Sequence, residues 1–239
     1  MKAQNKWLML AVGLGIMLNP LNSSMISVAI TRLQQVYQLD YTAVSWIIFS
    51  FYIASAVAQP VMGKCSDLFG RRKIFLMGLV VVFVSSMLAP LSPSFSYLII
   101  FRVIQSIGTS MMVAVGMAIV RIYVTEKQAM AISILAMFLS GAAAIGPFIG
   151  GLLIHWWGWP SIFLMNVPFV AASFWFAWRN IPKDKPIQSP QDQANRSWLA
   201  SIDIPGILLF TIALVTLLIG VLSVKSTGHI SLWNMVTMG

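Results

Sequence analysis

The sequence predicts an all-α integral membrane protein, and three observations carry that prediction. Of its 239 residues, 59% are apolar and only 9% charged, against about 45–50% and about 25% in soluble globular domains. The apolar residues fall in continuous runs as long as a bilayer is thick. Basic residues collect in alternate loops between those runs. The composition excludes a soluble enzyme, a disordered tail and a nucleic-acid-binding module. A net charge of +9 therefore has its source in basic loop residues, not in a nucleic-acid partner. The single cysteine, Cys65, allows no intrachain disulfide and no cysteine-based metal site.

A helix needs about 20 mostly apolar residues to cross about 30 Å of hydrocarbon. On that measure the expected spans are 7–30, 44–62, 74–91, 97–120, 129–154, 162–178 and 204–224, and an eighth begins near Leu232 and is cut off at Gly239. The runs are continuous and do not alternate at period two, which excludes membrane strands. Lys2 and Lys6 precede the first span as in a signal peptide, but the span is too long and lacks a small-residue cleavage site.

Orientation follows from the loops. With the N-terminus in the cytoplasm, the inner segments carry Lys2, Lys6, Lys64, Arg71, Arg72, Lys73, Arg121, Lys127, Arg179, Lys183, Lys185 and Arg196. Only Arg32 and Lys225 lie outside, and Arg102 lies within a span. The positive-inside rule then places the N-terminus inside. The one long polar stretch, 179–201, is rich in Pro, Gln, Asp and Lys and is expected to be a cytoplasmic linker. It separates a six-span block, 1–178, from the segment 202–239.

The loop expected after the second span reads GKCSDLFGRRK over 63–73. Gly63 and Gly70 suit a turn between closely packed helices. Asp67 sits among Arg71, Arg72 and Lys73, where a charge-assisted network can fasten two helix ends together. The residues leave two readings open: such a latch, or basic residues that merely set topology with Asp67 balancing them. The segment resembles the loop signature G-x-L-a-D-r-x-G-r-k-x of major facilitator superfamily transporters, with Cys65 and Leu68 at two departures. That resemblance implies a gate latch stabilising the outward-open state, which Arg121, at the end of the fourth span, is placed to join.

The fourth span contains RVIQSIGTSMM over 102–112. An arginine inside hydrocarbon costs a few kcal/mol and needs a partner; otherwise Arg102 snorkels to the outer headgroups. Gln105 lies one turn on, on the same side. The stretch resembles the R-x-x-Q-G-x-G motif of the superfamily, with Ser106 in place of a glycine, which implies a role in proton transfer.

The fifth span carries GAAAIGPFIGG over 141–151. Pro147 removes a helix hydrogen bond and is expected to kink the span. Gly146 and Gly150, with Ala142 before them, make a small-residue face for close packing. The pattern is similar to the superfamily's antiporter motif G-x-x-x-G-P-x-x-G-G, matched at Gly141, Gly146, Pro147, Gly150 and Gly151. It implies an exporter exchanging its substrate for protons.

Two further stretches narrow the resemblance. WPSIFLMNVP over 159–168 and DIPGILL over 203–209 look like stretches of drug–proton antiporters with fourteen spans. The chain then resembles their N-terminal half: a six-helix bundle of a major facilitator fold, built as a 3+3 inverted repeat, plus a seventh span and a truncated eighth. A second bundle of the same transporter is the implied partner.

One mismatch is informative. In LNPLNSSMISVAITRL, at the end of the first span, Asn22 stands where fourteen-span exporters carry an aspartate, the implied proton or cation site of this half. The acids of the chain are Asp40, Asp67, Glu126, Asp184, Asp192 and Asp203, all in expected loops or at span ends. What remains is a neutral patch of Asn19, Asn22, Ser23, Ser24 and Ser27, beside Pro20. These residues either line a cavity with Arg102 and Gln105 or hydrogen-bond between helices.

The function these features imply is secondary export of hydrophobic or cationic drugs across the bacterial cytoplasmic membrane in exchange for protons, by alternating access. A dedicated metabolite exporter and a non-transporting half-transporter are the alternatives. The chain has 15 Met and 14 Phe, among them Met111, Met112 and Met117, which suit a promiscuous surface or ordinary packing. The HWWGW run at 155–159 suits an interfacial aromatic belt. No nucleophile–base pair, metal cluster, cofactor motif or nucleotide loop is present.

Overall fold

The computed structural model describes residues 3–125 and 127–184, with 205–206, 209–210, 212–213 and 216 beyond them. The chain divides into two compact units, Met1–Gln193 and Ala194–Gly239. Among the described residues the regular structure is all helical. They form α1 (Ala3–Ile16), α2 (Leu18–Tyr37), α3 (Tyr41–Phe69), α4 (Arg71–Leu88), α5 (Phe95–Tyr123), α6 (Gln128–Trp157), α7 (Ser161–Leu164) and α8 (Asn166–Asn180). Among the described residues, six segments are long and apolar enough to cross a membrane: Lys6–Tyr37, Tyr41–Phe69, Arg71–Leu91, Phe95–Tyr123, Gln128–Trp157 and Ser161–Asn180. In the second unit the described positions, all within the expected seventh span, are helical; the rest of that span, the expected eighth, and residues 185–201 of the expected linker lie outside the described residues.

The helices run further than hydropathy alone predicts. The expected loop 63–73 is the clearest correction. Helix α3 continues through Gly63, Lys64 and Asp67 to Phe69, and only Gly70 is non-helical before α4 begins. A helix has no reason to end where the hydrocarbon ends, because its backbone bonds are internal. Gly70 breaks it with φ of 101°, a conformation that costs a residue with a Cβ about 1–2 kcal/mol. Gly63 marks no close approach, since a Cβ there would meet nothing within 4 Å.

The first span is interrupted at Met17, between α1 and α2. Pro20 has no N–H to offer the Ile16 carbonyl, so one bond of the ladder is lost there. The neighbouring bonds, Met17 N–H to Gly13 O at 3.0 Å and Leu21 N–H to Met17 O at 3.1 Å, keep the two halves in line. Helix α6, in contrast, is unbroken from Gln128 to Trp157 despite Pro147.

Packing partners exchange in pairs. The first span lies against the fifth and sixth, through α2·α6 and α1·α8, and the fourth lies against the second and third, through α5·α3 and α5·α4. The first and fourth touch each other, as do the third and sixth. This is the arrangement a 3+3 inverted repeat produces. Two apolar clusters fill the bundle, one around Val12, Phe75, Val115 and Leu135, the other around Leu21, Met25, Ile47 and Phe163. Met111 and Met112 belong to the first cluster, so they are packing residues and not cavity surface. The outer surface is apolar too, with Met137, Phe148, Trp156, Trp157 and Trp175 exposed; lipid is the solvent that such a surface requires.

Candidate functional site

Arg102 sits two turns into α5 and is 1% exposed. It does not snorkel. Its Nη1 donates to Gln105 Oε1 at 2.6 Å, one turn along the same helix. The guanidinium lies over two rings, with Cζ 4.3 Å from the centre of Phe51 in the second span and 5.8 Å from that of Phe163 in the sixth. Among the described residues its Nε and Nη2 have no hydrogen-bond partner. The charge is therefore held by one amide oxygen and two π faces, which substitute weakly for a carboxylate.

From Gln105 a chain of buried polar groups crosses the bundle. Gln105 Nε2 donates to Ser86 Oγ at 2.8 Å, and Asn166 Nδ2 donates to the same oxygen at 3.2 Å. Asn166 and Asn22 then exchange two amide bonds: Asn22 Nδ2 to Asn166 Oδ1 at 3.0 Å and Asn166 Nδ2 to Asn22 Oδ1 at 2.9 Å. Asn22 Nδ2 also reaches the Leu18 carbonyl at 2.7 Å. Gln105, Ser86 and Asn166 are at most 1% exposed and Asn22 is 4% exposed. The run Arg102–Gln105–Ser86–Asn166–Asn22 thus joins the fourth, third, sixth and first spans. Asn22 is a bonded member of it and not an open cavity wall.

Asn19, one turn before Asn22, takes part in a second cluster. Its Nδ2 donates to Thr109 Oγ1 at 3.1 Å and to Ser55 Oγ at 3.4 Å. Ser55 bonds Ser110 at 2.9 Å and accepts from Gln59 Nε2 at 3.0 Å. Asn19 and Gln59 are half-buried. Ser24 points the other way: its Oγ bonds the Leu21 carbonyl at 3.1 Å and faces Gly146 of α6.

The glycine motif of α6 divides by face. Ala142, Gly146 and Gly150 are buried against the second half of the first span. A Cβ at Gly150 would lie 3.2 Å from Met25 Cα, and one at Gly146 would run into Ser24. Gly141 and Gly151 have nothing within 4 Å of a built Cβ, and Pro147 is exposed.

At the Gly70 end of the bundle Asp67 and Arg71 form an ion pair of 2.6 Å across the turn. Asp184, which follows α8, completes the arrangement. Its Oδ1 accepts from Arg72 N–H at 3.0 Å and its Oδ2 from Lys73 N–H at 3.1 Å. Gly70 precedes α4 and has no side chain with which to cap it, so Asp184 supplies the cap from 112 residues away. Arg72 in turn donates to the Trp178 carbonyl at 2.5 Å and lies 5.5 Å from the centre of the Trp178 ring. Arg121 is exposed and donates to none of these groups; its carbonyl accepts from Gln128.

Sequence reasoning missed the parts played by Ser86, Asn166 and Asp184. Asn166 lies inside a stretch already singled out for its resemblance, and a buried-type asparagine between apolar residues was the available signal. Nothing in the sequence pairs Asp184 with Arg72.

These features define a polytopic helical membrane protein with a buried polar network spanning four helices. Residues 12–239 match the profile of the Major Facilitator Superfamily, and the chain belongs to that superfamily. It is 44% identical over 219 residues to the uncharacterized MFS-type transporter YwoD of Bacillus subtilis strain 168, covering 92% of this chain and 48% of YwoD. It is 30% identical over 221 residues to the tetracenomycin C resistance and export protein of Streptomyces glaucescens, covering 92% of this chain and 39% of that protein. The chain thus spans less than half the length of these two relatives. Among solved structures, an inward-facing, unoccupied bacterial homologue of the human lysosomal transporter Spinster superposes with a TM-score of 0.66, at 19% identity, over 81% of this chain and 48% of that one. That likeness is one of fold.

Proposed function

We propose that this chain supplies the N-terminal six-span bundle of a secondary active transporter. The transporter exports hydrophobic drug-like compounds across the bacterial cytoplasmic membrane in exchange for protons. The single observation that carries the proposal is the network from Arg102 to Asn22. A buried cation in a membrane span is costly and is retained where it serves transport. The network also links the first and fourth spans, the corresponding helices of the two inverted repeats, where alternating access has its centre. The similarity to an antibiotic export protein supports the direction of transport. Resemblance of Gly141, Gly146, Pro147, Gly150 and Gly151 to the antiporter motif supports exchange with protons.

In this proposal the N-terminus is cytoplasmic, the Asp67–Arg71 and Asp184–Arg72 contacts form the inner gate latch, and a second bundle completes the permeation path. Orientation is tested by single-cysteine labelling with a membrane-impermeant maleimide in intact cells. A cysteine at Ser94 in a Cys65→Ser background is expected to react, and Cys65 in the native background is expected not to. The inverse pattern overturns the topology. Transport is tested with the full-length gene product in proteoliposomes under an imposed pH gradient and no membrane potential. Gradient-driven movement of a lipophilic dye is expected. A folded protein that moves none, beside a working exporter, overturns proton-coupled drug export.

A further inference from the structure

We infer that this bundle selects its substrate by charge: it admits neutral and anionic lipophilic compounds and disfavours cations, with Arg102 as the group that sets the preference. The inference rests on the transport proposal and narrows it, against the cationic drugs that the family resemblance implies.

The charges of the bundle are placed unequally. Asp40 caps the start of α3, accepting from Ala43 N–H at 3.2 Å. Asp67 is paired to Arg71 at 2.6 Å, two residues from the end of its span. Asp184 follows α8 and caps α4. Each of these carboxylates lies at a helix end and is already engaged. Among the described residues, the buried interior of the bundle holds one charged group, Arg102, and its nearest partners are neutral. Gln105, Ser86, Asn166 and Asn22 spread its field through a hydrogen-bonded chain without cancelling it. Among the described residues two of its donors, Nε and Nη2, are unsatisfied. The half-buried polar groups of the neighbouring cluster, Asn19 and Gln59, are amides and add no negative charge.

An uncompensated unit charge acts at a distance in such a medium. At an effective dielectric near 20, a like charge about 10 Å away is disfavoured by roughly tenfold in occupancy, and an opposite charge is favoured by about as much. No direct contact with Arg102 is required, so its burial does not remove the effect. A neutral compound is indifferent to it.

The test uses the full-length transporter purified in detergent and reads binding by tryptophan quenching, so that it does not depend on proton coupling. The probes are three aromatic dyes of similar size: a fluorescein-class anion, a neutral flavin and a rhodamine-class cation. The neutral and anionic probes are expected to bind at least tenfold more tightly than the cation. Gln105→Glu places a carboxylate against Arg102 Nη1 at the position of the present amide oxygen, and is expected to bring anion and cation within about threefold of each other. Tighter binding of the cation by the native protein overturns the inference. So does an unchanged preference in Gln105→Glu that still binds the flavin, or binding of none of the probes. Binding with the expected preference but without gradient-driven transport leaves the inference standing and removes the proton-coupled export.

Discussion

Asn22 and Asn166, 144 residues apart in sequence, hold each other through two reciprocal amide hydrogen bonds of 3.0 and 2.9 Å. The pair ties the first span to the sixth, and through Ser86 and Gln105 it connects to Arg102. An amide suits this place because it donates and accepts at once. A carboxylate at position 22 would face Asn166 Oδ1 with a second acceptor. The asparagine at position 22 is therefore matched by its neighbour.

Replacing Asn22 with leucine removes both bonds and leaves Asn166 Oδ1 buried without a donor. The expected loss is about 1–2 kcal/mol, read as a lower thermal midpoint in detergent. Asn166→Leu is expected to cost at least as much, because Asn166 also bonds Ser86 and the Phe163 carbonyl. The double variant is expected to lose less than the two singles together; simple additivity would show that the pair is not coupled.

Asp184→Ala removes the cap of α4. A lost N-cap costs about 0.5–2 kcal/mol, and amide exchange at Arg72 and Lys73 is expected to accelerate while exchange in the middle of α4 stays unchanged. Unaltered exchange at those two amides would mean that Asp184 does not cap the helix in solution. Gly70→Ala is expected to be worse, because a Cβ there meets Asp184 and φ is 101°.

Phe51→Leu keeps an apolar side chain beneath Arg102 and deletes the π face 4.3 Å away. A desolvated cation–π contact is worth about 2 kcal/mol. The variant is expected to lose a large part of that in stability, and Phe163→Leu, at 5.8 Å, to lose less through this contact. The two are compared in an Arg102→Gln background, where the difference between them is expected to shrink.

The glycine motif offers a test of face. Gly150→Ala presses on Met25 Cα, at 3.2 Å from the new Cβ, and is expected to lower stability and activity. Gly141→Ala and Gly151→Ala meet nothing within 4 Å. In this bundle they are expected to be neutral, or slightly stabilising because alanine favours the helix by up to about 1 kcal/mol. Equal damage from Gly141→Ala and Gly150→Ala, measured by thermal midpoint, would contradict the packing of α6 on the first span. Loss of transport by Gly141→Ala with stability intact would instead place Gly141 at the proposed second bundle.

The sequence by itself determined the helical class, the six membrane-capable segments of the first unit and the small-residue face of α6; most of its seventh span and all of its eighth fall outside the described residues. Hydropathy and helical period are local quantities, so a run such as 97–120 declares itself without its neighbours. It also singled out Arg102 and Gln105, because a charge in hydrocarbon is conspicuous wherever it points. The tertiary structure decided what those residues touch. Met111 and Met112 read equally well as cavity or core until the helices pack, and packing puts them in the core. Asn22 read as cavity wall or interhelical bond, and Asn166 across the bundle chose the bond. The stretch 63–73 read as a loop because its residues are polar, yet helix hydrogen bonds are internal and carry α3 on to Phe69. Asp184 reaches the start of α4 only because α8 returns beside Gly70. Which distant polar groups meet depends on the rotation and register of whole helices about one another. Those are fixed by the summed fit of many apolar contacts, and no local pattern records that sum.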